Sequence, residues 1–273
     1  MKILVTGSKG FVGSHLVPYL KKKGHKVSEW DLTQSDDIFD DDFLDVVRWC
    51  DVIVHLAAQV SVNKSFDKPT ETMFTNVLGT AHVCRLAAQY DKKLIYPSSA
   101  AVYHRELSPY AESKALGEDI CKRLQEAGQP ITILRFFNIY GDNMNPDSGS
   151  VMYQFLEGTK NGEIVIFGDG EQTRDWINIK DIVSIIEKAL SPKWNGAIVD
   201  CGTGEAYSLN YVVGAFKFYS ELYLNKSFKI KHEKPRREIR WSMADTSTLK
   251  RLYKKKLVTN LNRDIAHLVH DLK

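Results

Sequence analysis

Met1-Lys2-Ile3-Leu4-Val5-Thr6-Gly7-Ser8-Lys9-Gly10-Phe11-Val12-Gly13-Ser14-His15 opens the chain and decides its fold. Ile3, Leu4 and Val5 form an apolar run that reads as a buried strand, and it leads into glycines spaced G-x-x-G-x-x-G. Gly7 permits a sharp turn, Gly10 lets a pyrophosphate approach the backbone, and Gly13 lets the next helix pack closely on the strand. That helix is expected over His15 to Lys23, opened by Phe11 and Val12, with Leu16, Val17 and Leu20 extending its apolar side. The unpaired N–H groups at its start then face an anion. A second strand runs from Lys26 to Trp30 and ends at Asp31, eighteen residues after Gly13, where an acid bonds the hydroxyls of an adenosine ribose. Strand, glycine turn, helix, strand and acid in that order predict a dinucleotide site rather than a chance glycine-rich turn.

Further along, strands alternate with helices. Asp51 to Ala58 reads as a strand ending in small residues, Thr70 to Tyr90 as a helix and Lys93 to Pro97 as a strand running into Ser98-Ser99. A helix from Ser108 to Glu126 and a strand from Ile131 to Phe136 follow. This alternation predicts an α/β protein with a Rossmann-type, doubly wound parallel sheet. The pattern changes after the Asn-, Asp-, Pro- and Gly-rich loop that ends at Gly149. Helices are expected at Met152 to Lys160, Ile182 to Leu190 (capped by Asp181), Leu209 to Leu222 and Asp264 to Leu272, with strands at Glu163 to Phe167 and Ala197 to Cys201. The expected organisation is a dinucleotide-binding domain over 1–149 and a smaller α/β cap over 150–273 that binds substrate, its chain interleaved with the first.

Composition narrows the function classes. The 37 basic and 34 acidic residues give a net charge of +3, too balanced to imply nucleic-acid or membrane binding. No apolar run is long enough to span a bilayer, and the N-terminus enters a core strand directly. Cys50, Cys84, Cys121 and Cys201 are far apart with no C-x-x-C pair, which argues against a metal site or a disulfide framework. Reduced thiols and a cytoplasmic location are expected. The acidic stretch from Gln34 to Asp45 reads either as a solvated loop before a helix or, at Asp37-Ile38, as a neighbour of the adenine.

Tyr110 and Lys114 lie four apart on one helix and therefore on one face. An unperturbed tyrosine, with a pKa of about 10, is a poor base at neutral pH. A lysine ammonium one turn away stabilises its phenolate, as does the positive ring of an oxidised nicotinamide. The Ser99 hydroxyl, at the end of the preceding strand, can hold a substrate oxygen against the phenol. Such a trio removes a proton from a sugar hydroxyl while hydride leaves the same carbon.

Thr6-Gly7-Ser8-Lys9-Gly10-Phe11-Val12-Gly13, His55-Leu56-Ala57-Ala58, Asn76-Val77-Leu78-Gly79-Thr80, Ser98-Ser99 and Tyr110-x-x-x-Lys114 resemble, in order, the extended short-chain dehydrogenase/reductases. Within these the chain is similar to the NAD-dependent epimerase/dehydratase family acting on nucleotide sugars. The likeness continues through Leu134 to Gly141 and Phe167 to Asp175. It implies NAD as cofactor, with Phe11 and Val12 on the pyrophosphate through their backbone. Leu56, Ala57 and Ala58 would line the cofactor, Thr75 would lie near it, and Phe137 beside the nicotinamide ribose. It further implies Asn138 on the sugar diphosphate, Phe167 beside the nucleotide base and Arg174 on phosphate; an ion pair with Asp175 is the plainer alternative for that arginine. Lys234-Pro235-Arg236-Arg237-Glu238 resembles the family's second phosphate-binding arginine motif without its glycine, leaving Arg236 and Arg237 as alternatives.

Two departures from the family concern specificity. Six residues separate Tyr103 from Tyr110, where the family has a longer loop beside the sugar, and the segment between Asp31 and Asp51 is abbreviated. Ala100-Ala101 occupies the place of the dehydratase Asp-Glu pair and of the decarboxylase glutamate, which argues against both reactions. The expected activity is 4-epimerisation of a UDP-hexose or its N-acetyl derivative through a 4-keto sugar. The alternatives are a 4-ketoreductase of nucleotide-linked 4-keto-6-deoxysugars and a non-catalytic NAD sensor. The resemblance also implies a homodimer, to which Leu116, Ile120 and Leu124, with Val77, Ala81 and Leu86, would contribute.

Overall fold

A computed structural model describes residues 1–273, the side chain of Asp147 excepted. In chain order the elements are β1 (Lys2–Thr6), α1 (Phe11–Lys22), β2 (Lys26–Trp30), α2 (Asp41–Trp49), β3 (Val52–His55), α3 (Val62–Asp67) and α4 (Pro69–Met73). A π turn over Phe74–Leu78 joins α4 to α5 (Gly79–Gln89), followed by β4 (Lys93–Ser99), a 3-10 stretch Ala100–Leu107, α6 (Pro109–Glu126), β5 (Ile131–Phe136) and β6 (Asn138–Tyr140). Then come α7 (Val151–Asn161), β7 (Glu163–Phe167), β8 (Thr173–Asn178), α8 (Ile179–Ala189), β9 (Ile198–Cys201), β10 (Ala206–Ser208), α9 (Leu209–Leu224), β11 (Lys229–Glu233), α10 (Ser247–Tyr253) and α11 (Leu261–His270).

The chain forms two compact units. The first holds Met1–Phe136, Ile182–Cys201 and Ser247–Lys255; the second holds Phe137–Asp181, Gly202–Thr246 and Lys256–Lys273. The first is built on a six-stranded, all-parallel sheet of order β2-β1-β3-β4-β5-β9. Its central strands are nearly unbroken apolar runs because both faces are buried: Ile3 to Val5, Val52 to Val54, Leu94 to Tyr96 and Ile131 to Leu134 are all almost fully enclosed. Strand order reverses at β1 and β3, which opens a crevice at their carboxyl ends where such sheets bind ligands. The second unit carries the three-stranded sheet β10-β8-β6 and the pair β11-β7.

Most elements start and stop near the expected residues, but two differences have physical causes. Helix α1 begins at Phe11, because Gly10 in extended backbone already serves as its N-cap. Asp181 does not cap a helix; it sits in the first turn of α8, which starts at Ile179. Its carboxylate accepts from Val258 N at 2.9 Å, Thr259 N at 2.8 Å and Thr259 Oγ1 at 2.6 Å, fixing a distant loop of its own unit. No helix is long and apolar enough to cross a membrane among the described residues. Ile120 and Leu124 of the stripe proposed for a dimer pack on the chain's own core, and Leu86 is buried within it.

Candidate active site

In the first unit the glycine turn is held by contacts that exclude side chains. Gly7 has φ of +66°, and a Cβ there would lie 2.6 Å from Ala57 N and 2.7 Å from the Leu56 carbonyl carbon. A Cβ on Gly13 would come within 2.3 Å of the Gly7 oxygen. The loop after β1 therefore lies directly on the loop after β3. The first turn of α1 has neither a side-chain cap nor an acid, so the N–H groups around Phe11 and Val12 are left for an anion. Asp31 is buried at the end of β2, and its carboxylate accepts from Lys9 N at 2.8 Å, Thr33 N at 3.0 Å and Thr33 Oγ1 at 2.7 Å. Burial opposes its charge, yet the bonds from Thr33 and Lys9 outweigh it and hold the carboxyl below the ordinary aspartate range. This donor set, a bare helix N-terminus beside a charged acid, fits the pyrophosphate and ribose of a dinucleotide.

Asp37 and Ile38 lie in the turn before α2. Asp37 Oδ1 accepts from Phe39 N at 3.1 Å, and the Ile38 side chain reaches 3.1 Å from where a Gly79 Cβ would be, packing on α5. Leu56, Ala57 and Ala58 form the half-buried start of the loop after β3, and Thr75 is exposed in the π turn. Behind that loop His55 is wholly buried between Thr6 Oγ1 (2.9 Å from Nδ1) and Thr80 Oγ1 (3.4 Å from Nε2). Burial, then the charge of Lys114, pull its pKa down to about 3, so the imidazole stays neutral and serves as a spacer rather than an acid–base group.

The catalytic candidates come together at the end of β4 and the start of α6. Ser108 caps α6, its Oγ accepting from Ala111 N at 3.1 Å, and Tyr110 and Lys114 follow on adjacent turns. Ser99 Oγ accepts from Ala101 N at 3.2 Å, and its hydroxyl is the polar side chain that acts on the Tyr110 phenol. Burial raises the phenol above its ordinary pKa, and the nearby Ser99 hydroxyl offsets part of that rise. Lys114 donates from Nζ to the Pro97 carbonyl at 2.9 Å, and burial lowers it to about 8. The serine and the phenol thus lie in one neighbourhood, and the lysine is tied to the strand carrying Ser99.

A buried charged network, not anticipated from the sequence, underlies this pair. Glu118, one turn beyond Lys114 and 1% exposed, accepts from Ser98 Oγ at 2.7 Å and from Arg135 Nε and Nη2 at 2.8 and 2.7 Å. Arg135 also donates to Tyr103 OH at 2.8 Å, and Tyr103 OH donates to Asp200. The 4-residue spacing of Tyr110, Lys114 and Glu118 was the available signal: an acid on the buried side of a helix needs a partner. The short segment after Tyr103 is tied down as well, with Arg105 bidentate on Glu112 at 2.7 and 2.8 Å.

In the second unit Phe137 is buried and Asn138 begins β6, half-buried. Arg174 on β8 donates to the carbonyls of Thr173 (2.8 Å) and Ile239 (2.7 Å) and to Glu238 Oε2 (2.5 Å). Its carboxylate partner is therefore Glu238 and not Asp175, which is fully buried and takes the N–H groups of Thr203, Gly204 and Ala244. The Arg236 guanidinium lies 3.3 Å from the centroid of the Phe167 ring, and both Arg236 and Arg237 are exposed. The structure thus brings Phe167 together with Arg236 and pairs Arg174 with Glu238.

A family model described as the NAD dependent epimerase/dehydratase family matches residues 3–202. The UDP-glucose 4-epimerase of Mycolicibacterium smegmatis is 31% identical over 245 residues, covering 75% of this chain and 78% of that protein. The UDP-N-acetyl-alpha-D-glucosaminuronate decarboxylase of Bacillus cytotoxicus is 31% identical over 250 residues, covering 77% and 78%. Among solved structures, the UDP-glucuronic acid 4-epimerase of Bacillus cereus in complex with UDP-glucuronic acid and NAD superposes with a TM-score of 0.87 at 26% identity, covering 100% of both chains.

Proposed function

We propose that this chain, which belongs to the NAD dependent epimerase/dehydratase family and is therefore an enzyme using NAD, is a UDP-sugar 4-epimerase. One observation carries the reading: Ser99 ends β4 and is the side chain that acts on the Tyr110 phenol, with Lys114 one turn away and tied to that strand, in the unit that holds the glycine turn and Asp31. A non-catalytic sensor has no use for that pair.

NAD, when bound, supplies the two-electron acceptor that oxidation at C4 requires and returns the same electrons. The protein's own part is proton handling and orientation. Ser99 holds the C4 oxygen against Tyr110, and the Tyr110 phenolate takes the C4 hydroxyl proton. Burial raises the phenol, so phenolate forms only once positive charge stands beside it: Lys114, and the oxidised ring of the cofactor. The 4-keto sugar turns about its diphosphate and so presents its opposite face for reduction, and Tyr110 gives the proton back to the C4 oxygen. Phe11, Val12, Asp31, Leu56, Ala57 and Ala58 are the proposed cofactor contacts, with Thr75, Asp37, Ile38 and Phe137 at its margins. Asn138, Arg174, Phe167 and one of Arg236 and Arg237 are the proposed nucleotide contacts. Residues 150–273 are read as mainly substrate-binding, and the working assembly is read as a homodimer, to be checked by light scattering.

The test is incubation with UDP-hexoses, UDP-N-acetylhexosamines and UDP-hexuronic acids at substoichiometric NAD, following sugars by NMR and nicotinamide by absorbance together. Interconversion of C4 epimers without net cofactor reduction is expected. Stoichiometric consumption of reduced cofactor on a 4-keto sugar, with no epimerisation, replaces the reading with a 4-ketoreductase. Loss of carbon dioxide from a UDP-hexuronic acid replaces it with a decarboxylase, a reaction for which Ala100 and Ala101 offer no acid.

A further inference from the structure

We propose that the outer face of α9 is a self-association surface, on which α9 of a second copy of this chain packs antiparallel to it. The surface lies within the second unit, on a different element from the helices expected to form the homodimer.

Helix α9 is apolar on two opposite sides. Its inner side, Leu209, Val212, Val213 and Phe216, is buried, with the Phe216 ring 6.3 Å from that of Phe155 on α7. Tyr211, Gly214, Phe218 and Leu222 recur every three or four residues on the outer side, and Phe218 and Leu222 are each 59% exposed. A helix that is apolar on both sides is one that is covered on both sides. Gly214 points the same way. A Cβ there would meet no atom within 4 Å, so nothing inside the chain requires glycine. Glycine in the middle of a helix costs about 1 kcal/mol relative to alanine, and what it allows is the close approach of another backbone.

Charge selects the occupant. At about 100° per residue, Lys217 and Glu221 fall on one flank of the stripe. Both are exposed, and neither forms an ion pair among the described residues. When two such helices pack antiparallel about a two-fold axis, like flanks face each other. Lys217 set opposite Glu221 of the second copy, a contact that symmetry makes twice, fixes the register. Leu222 then comes level with Phe216 of the second copy, midway along the stripe between its Gly214 and Phe218. Phe218 comes level with Ser220 of the second copy, midway between its Phe218 and Leu222. Both side chains enter gaps in the facing stripe, and the glycine deepens the gap that takes Leu222. One register thus satisfies charge and shape together. Parallel packing would set opposite flanks against each other and leave both charges without partners.

Sedimentation velocity from micromolar to several hundred micromolar tests this on the parent, Lys217→Glu, Glu221→Lys, and Phe218→Ser combined with Leu222→Ser. The weight-average mass of the parent should climb with concentration above that of the double-serine variant, which reports whatever association other faces support. Lys217→Glu alone and Glu221→Lys alone set like charges together at both symmetric contacts, and each should weaken the association about tenfold. An equimolar mixture of those two variants restores opposite charges at both contacts and should return the affinity to within about threefold of the parent. Parallel helices or an unlike partner give no such rescue, so its absence overturns the proposal. A parent whose mass matches that of the double-serine variant at every concentration overturns it as well. Retention of the parent on phosphatidylglycerol vesicles through Phe218 and Leu222, without self-association, overturns it in favour of a lipid contact.

Discussion

Replacing Arg135 by Met removes the main counter-charge of Glu118 while keeping most of the side-chain volume. In the parent, Glu118 takes two bonds from Arg135 and one from Ser98, with Lys122 Nζ 3.0 Å away. Burial opposes its charge, but the Arg135 and Ser98 bonds outweigh it, so the folded carboxyl lies below its ordinary pKa. With a depressed folded pKa, its contribution is present above the unfolded pKa of about 4.3 and is lost only as pH falls through the lower folded value. In Arg135→Met the sign reverses. Burial then dominates, the folded pKa rises above the unfolded one, and the carboxylate destabilises the fold at neutral pH. Breaking one side of a buried pair costs about 3–5 kcal/mol, which for a chain of this size lowers Tm by on the order of 10 °C. Each unit by which the variant's carboxyl is raised returns about 1.4 kcal/mol once it is protonated. Thermal unfolding of parent and variant at pH 7.5 and pH 5 should therefore show a deficit at pH 5 about half that at pH 7.5 or smaller. Replacing both partners, Glu118→Leu with Arg135→Met, should recover most of the loss. An equal deficit at both pH values, or one below about 1 kcal/mol, would refute the account of Glu118 as a charge held by Arg135.

Tyr110→Phe keeps the ring and removes the proton acceptor, so turnover should fall by about 10² or more while calorimetry finds NAD affinity within twofold; near-normal turnover would remove this tyrosine from the mechanism. Gly13→Ala places a methyl 2.3 Å from the Gly7 oxygen, and backbone cannot yield there as a side chain can. NAD binding should be lost and stability should fall by about 1–3 kcal/mol, measured by calorimetry and denaturant unfolding. Asp31 should favour NAD over NADP, and Asp31→Asn should narrow that preference in parallel cofactor titrations; tighter NADP binding by the parent would show that Asp31 does not face the ribose.

Where the sequence was legible, local rules sufficed. The strands Ile131–Phe136 and Glu163–Phe167 lie where apolar runs meet turn residues, and the parallel sheet of the first unit follows from the alternation of strands with helices. Ser99, Tyr110 and Lys114 could be singled out from the sequence because two of them share a helix face and the third ends the strand before it. What escaped was long-range. Asp181 has the chemistry of a helix cap, yet the N–H groups of Val258 and Thr259, far along the chain, take its carboxylate. Asn76 read as part of a continuous helix, since no residue pattern announces a π turn. Glu238 looked like one charge in a basic segment, and only β8 brings Arg174 to it.

The way the chain is divided between its two units also sets a timetable for its synthesis. Strand β9 pairs with β5 through Ile133–Ile198 and Leu134–Val199, but the intervening residues belong mostly to the other unit. At about 5–20 residues per second, a ribosome needs roughly 3–13 s to pass from β5 to β9. Throughout that interval β5 is the outer strand of an unfinished sheet, with an apolar run and unpaired backbone groups along one side. An edge of that kind recruits any other extended segment within reach. The nascent enzyme is thus vulnerable to aggregation while five of the six strands of that sheet are made, and slower translation of residues 137–197 would lengthen that exposure.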